Sequence, residues 1–94
     1  MTAKRFESVW DAIEATSGEA ENMRVRSALM LELTAWIDRS GMTQAEVAKR
    51  FGVTQPRISD LRRGKIDLFS IDALVNMLTS AGLRLDVRII PAAS

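Results

Sequence analysis

Between Gln44 and Lys65 the chain collects side chains whose donors and acceptors match those of nucleic acid. Gln55 carries an amide that can pair bidentately with an adenine edge, and Arg57 a guanidinium that can do the same with guanine. Ser59 and Asp60 follow one turn later; Asp60 can accept from cytosine or hold Arg57 or Arg63 in an intrahelical ion pair. Arg62, Arg63 and Lys65 at the far end suit phosphate oxygens better than bases. Gln44 and Thr54 each head a short segment, where backbone N–H groups and a polar side chain can meet a phosphate. The net charge is only +1, but residues 42–66 hold six basic and two acidic side chains. Residues 1–41 hold five basic and seven acidic ones, and residues 67–94 two and three. The positive charge therefore sits where phosphate would be met, although a run of charge also suits a merely solvated helix face.

The local punctuation predicts the elements that hold these groups. Thr43-Gln44-Ala45-Glu46 has the spacing of a capping box, in which Thr43 accepts from the Glu46 N–H and Glu46 reaches back. That helix runs to Phe51 and stops at Gly52. Val53 is a buried spacer, Thr54 caps the next helix, and Pro56 lies in its first turn, where its missing N–H costs nothing. The second helix ends at Gly64. Val47, Ala48, Phe51, Val53, Ile58 and Leu61 are the apolar positions that must turn inward, with small Ala48 at the crossing. Residues 43–64 thus read as a helix-turn-helix, whose second helix enters the DNA major groove. An ordinary antiparallel helix pair is the competing reading.

MTQAEVAKRFGVTQPRISDLRRGK (Met42–Lys65) resembles the helix-turn-helix of the XRE-type (Cro/repressor) family, with Gln44, Ala48, Gly52, Ile58 and Leu61 at that family's pattern positions. A wider resemblance over residues 6–90, including GKIDLFSIDALVNMLTSAGLRLDVRI, is to the short HigA-like antitoxins of that family. The resemblance implies a mainly α, five-helix, lambda-repressor-like bundle that binds double-stranded operator DNA. It also implies a small basic RNase toxin as partner. Pro56 departs from the polar residue common at that position in phage repressors and removes one base contact.

The rest of the chain predicts a single domain, 1–94. Phe6, Val9, Trp10 and Ile13 form the stripe of a leader helix within residues 1–15. Thr16-Ser17-Gly18-Glu19 is expected to break it and start a second helix, with Glu19 and Glu21 at its positive end. That helix runs from Asn22 to about Arg39 and stops at Gly41. Val25, Leu29, Leu33, Trp36 and Ile37 face inward, and Met30 and Leu31 widen the apolar surface. Ser70 caps a fifth helix, Ile71 to Ala81, with Ile71, Leu74, Val75 and Leu78 inward and Gly82 as its stop. Residues 83–90 alternate: Leu83, Leu85, Val87 and Ile89 are apolar, Arg84, Asp86 and Arg88 charged. This predicts a half-buried strand, and a lone strand needs a partner. Pairing with the same strand of a second copy gives a homodimer, which is also what reading two half-sites requires.

Composition excludes several classes. With no cysteine and no histidine there is no disulfide framework, thiolate site or imidazole catalysis. The carboxylates are scattered, with no nucleophile–base pair and no phosphate-cradling glycine loop, so no enzyme, metal or cofactor is expected. No apolar run reaches membrane length and the start lacks a signal-peptide core, which predicts a cytoplasmic, bacterial-type protein without a membrane association. Three functional readings fit: an autorepressing antitoxin, a free-standing repressor, or an interaction module retaining a helix-turn-helix. Phe6 and Trp10 either complete the core or, on an arm of net negative charge, dock a basic partner.

Overall fold

The computed structural model describes the backbone of residues 2–91 and the side chains of residues 17–91. Four α-helices follow in order: α1 (Thr2–Ser40), α2 (Gln44–Phe51), α3 (Gln55–Arg62) and α4 (Ile71–Ser80), with a 3-10 turn at Ile66–Leu68 between the last two. The second half of α1 forms the floor on which α3, the 3-10 turn and α4 rest, while α2 packs between α3 and α4.

The short helices are set by their ends. Thr43 Oγ1 accepts from the Glu46 N–H at 3.2 Å and the Glu46 carboxylate accepts from the Thr43 N–H at 2.8 Å, completing the capping box. These bonds from Thr43, the backbone one foremost, hold the Glu46 carboxyl below its usual range. Because the folded value is lowered, the stabilisation is present above the usual carboxylate range and is lost as pH falls through the folded value. Gly52 follows α2 at φ 68°, a left-handed conformation that L side chains rarely adopt, and its N–H reaches the Lys49 carbonyl. Thr54 and Ser70 cap α3 and α4 by accepting from the N–H groups of Arg57 and Ala73.

One core joins the helices. Leu33, Val47, Ile58, Leu61, Phe69 and Leu74 are essentially inaccessible, and Leu29, Met30, Ile37, Ala48, Phe51, Met77, Leu78 and Ala81 complete it. Trp36 and Phe51 meet with ring centroids 5.6 Å apart, and the Arg50 guanidinium lies over Trp36. Burial of each large side chain is worth roughly 1.5–3 kcal/mol.

Several expectations need correction. Among the described residues the α-helices number four, because α1 runs through Thr16–Glu19 without a break. An internal glycine costs a helix only about 1 kcal/mol, whereas a break leaves new helix ends without partners and requires a second nucleation. Glu21 therefore lies mid-helix, where it pairs with Arg24 one turn on. The predicted roles of Phe6, Val9, Trp10 and Ile13 lie outside the described side chains. Leu31 is 69% exposed, on the far side of α1 from Leu29 and Leu33. Val53, Ile71 and Val75 are half-buried against the core. Residues 83–90 are not a strand, and none occurs among the described residues, because no other described segment offers an edge with which a ladder could form. Among the described residues no helix is long and apolar enough to cross a membrane.

Ala48 is buried where α2 meets the rest of the core. Ala48→Leu should cost about 1–3 kcal/mol through overpacking, read as a lower Tm. An unchanged Tm would mean that the crossing tolerates bulk.

Candidate nucleic-acid interface

The recognition segment is an eight-residue helix held by its inner face. Ile58 and Leu61 are buried, which turns Gln55, Pro56, Ser59, Asp60 and Arg63 outward or to the rim. Such a helix is too short to persist alone, so its position depends on this packing. Its start is tied to the start of α2: Gln44 Nε2 donates to the Gln55 carbonyl at 3.1 Å. The two helix N-termini are thereby brought side by side, each with leading N–H groups that have no helical acceptor. Thr54 serves as cap and is exposed beside them.

The positive charge divides into two groups. Arg57 is half-buried: its guanidinium lies 4.0 Å from the Phe69 ring centroid and donates to the Leu68 carbonyl. It ties the flank of α3 to the 3-10 turn, with one guanidinium nitrogen engaged by the protein itself. Arg50 likewise donates to the Ser80 carbonyl at the end of α4, and Arg62 pairs with Asp38 of α1 at 2.7 Å. Arg26 of α1 donates to the Ile66 carbonyl. Arg63 and Lys65 remain on the exposed rim, Lys65 at 3.5 Å from Asp60. Asp60 thus partners Lys65, a choice that intrahelical spacing did not suggest. The Arg62–Asp38 pair is exposed on both sides and worth about 0.2–1 kcal/mol, so phosphate can displace it at small cost.

The structure therefore gathers Gln44, Thr54, Gln55, Ser59, Asp60, Arg63 and Lys65 on or beside the outer side of α3, with Arg62 turned toward α1 and Arg57 toward Phe69. Sequence reasoning missed Phe69, Arg26 and Arg50 as the parts that position this surface. Phe69 follows a 3-10 turn, which has no apolar periodicity to read; an aromatic beside Ile66 and Leu68 in a short connection was its one signal. Among the described residues no cluster of acidic side chains could hold a metal ion.

Residues 13–90 match the model of a family described as a helix-turn-helix domain. A solved structure described as belonging to the XRE family of transcriptional regulators is similar with a TM-score of 0.72 and 32% sequence identity, over 79% of this chain and 83% of that one. No curated protein matches the chain. The chain belongs to the XRE-type helix-turn-helix family.

The geometry separates two side chains that look equivalent in the sequence. Gln55→Ala should lower affinity for the specific site by about 1–3 kcal/mol and relax preference at one position per half-site. Arg57→Ala should lower stability by about 1–2 kcal/mol by removing the stacking and carbonyl contacts. It should weaken binding to specific and random DNA alike. A loss confined to specific DNA, with Tm unchanged, would return Arg57 to base reading.

Proposed function

We propose that this protein is a sequence-specific DNA-binding transcriptional regulator that acts as a homodimer on an operator of two half-sites. The observation that carries the reading is the exposed outer side of α3, docked beside the α2 N-terminus through the Gln44–Gln55 bond, in a chain of the XRE-type family. In this reading α3 enters the major groove, Gln55 reads a base, and Ser59 and Asp60 line the helix behind it. Arg63, Lys65 and a displaced Arg62 meet phosphates on the rim. The protein works by binding, without catalysis or cofactor. A single eight-residue helix reaches few bases, and a second copy turns the other half-site into an intramolecular event.

Within that function we read the chain as the autorepressing antitoxin of a type II toxin–antitoxin module, with a small basic RNase as its partner. Support comes from the antitoxin-like sequence over residues 6–90 and from the net negative charge of residues 1–41. Residues 17–24 of α1 are exposed, up to the point near Val25 where the helix joins the bundle, so an acidic arm is available to a basic surface.

Two experiments test these levels. Electrophoretic shift on the chain's own promoter, titrated with salt, should show specific binding. Arg63→Ala or Lys65→Ala should flatten the salt slope by roughly one unit for each phosphate left without its cation in a half-site. Binding no tighter than to random DNA would reject the regulator reading. Deleting residues 1–15 should abolish neutralisation of the adjacent gene's product while sparing operator binding and Tm. A joint fall of Tm and DNA binding would make the leader part of the core, and intact neutralisation would reject the arm.

A further inference from the structure

The outer side of α1 carries a groove that the DNA-binding reading leaves unused. Ser27, Met30, Leu31 and Thr34 stand at i, i+3, i+4 and i+7, the four positions that form a hole for one side chain of a facing helix. Leu61 at the end of α3 and Ile66 of the 3-10 turn make the far wall, and the space between is ≈ 290 Å³. Leu31 stands at its edge and is 69% exposed. The other large apolar side chains of α1 from Val25 to Ile37 are buried or half-buried. A hole shaped for a helix thus lies beside an apolar side chain that its own chain does not cover.

We propose that α1 of a second copy fills this groove, packed antiparallel with the twofold axis beside Leu31, so that each Leu31 enters the other copy's hole. The inference goes beyond the DNA-binding reading and uses none of the C-terminal segment.

The sequence of α1 is self-complementary about that point. In an antiparallel pair centred on Leu31, positions equally far before and after it meet. One turn away small side chains meet small ones, Ser27 against Ala35 and Ala28 against Thr34, which lets the helix axes approach closely. Two turns away Arg24 meets Asp38, once on each side of the axis. Both are exposed. Each is engaged only on its own surface, Arg24 with Glu21 and Asp38 with Arg62, and such pairs can be shared or exchanged at small cost. A parallel pair would instead set Arg24 against Arg24 and Asp38 against Asp38, like charge against like. A strongly basic partner would meet Arg62, which forms part of the groove's wall.

A twofold contact of this kind adds to whatever surface forms the operator dimer. It would join two DNA-bound units, so that occupancy of one operator raises the effective concentration at the next.

Leu31 is exposed and glutamate is a good helix former, so Leu31→Glu should leave Tm and affinity for a single operator site unchanged. It should halve the mass of the largest species that the wild-type chain reaches in sedimentation at rising concentration. Whether the species that remains is a dimer or a monomer tests the operator homodimer, not this contact. Arg24→Asp and Asp38→Arg should each weaken the association about threefold to tenfold. An equimolar mixture of those two single variants should associate as tightly as the wild type, because opposite charges then meet on both sides of the axis. A Leu31→Glu variant as large as the wild type would overturn the contact, and so would a mixture no tighter than either variant alone. Unchanged self-association with lost binding of a small basic RNase would give the groove to that partner and reject the second copy.

Discussion

The seating of α3 through Ile58 and Leu61 is the contact on which the rest of the molecule depends. An eight-residue helix has too few internal hydrogen bonds to offset its own nucleation, so it exists as a helix only because those two side chains are buried. They share one core with Leu33 of α1, Val47 of α2, and Phe69 and Leu74 after the 3-10 turn, and α2 and α1 pack directly against α3. A change at any of these walls moves the outer side of α3. The caps at Thr43, Thr54 and Ser70 have a complementary task, since they fix where each short helix begins and hence which residues face outward.

Charge is organised by the same packing. Residues 42–66 are the basic part of the chain, yet Arg50 and Arg57 turn back to carbonyls and aromatic faces, and Arg62 rests on Asp38. Guanidinium groups suit this use, because a planar fork can stack on a ring while donating to a carbonyl. The basic character that favours nucleic acid is therefore partly structural. What remains at the rim, with the amide of Gln55 and the paired helix N-termini, is a smaller and more directional surface than the count of charges suggests. It fits an XRE-type regulator in which position on DNA comes from phosphates and selectivity from few side chains.

Long α1 and the C-terminal segment give this compact unit its two extensions. The helix continues past the bundle toward the N-terminus, and residues 84–90 leave the core with their apolar side chains uncovered.

Local chemistry made much of this legible in the sequence. The capping box at Thr43, the stop at Gly52, the caps at Thr54 and Ser70, and the inward set Val47, Ala48, Phe51, Ile58 and Leu61 are written in neighbouring residues, and the XRE-type family follows from them. Other features depend on distant parts meeting. Whether Gly18 breaks α1 turned on a cost of about 1 kcal/mol against the larger cost of two new helix ends, a balance that residue types alone do not display. Phe69 became core because the 3-10 turn before it packs on α1 and the Arg57 guanidinium covers its ring. Arg57 and Arg63 are alike as residue types, but only packing decided that Arg57 meets the Phe69 ring while Arg63 stays on the rim. The reason is geometric: local sequence sets helix limits and the buried stripe, whereas the direction of a long flexible side chain depends on which carbonyl or ring the tertiary fold brings within its reach.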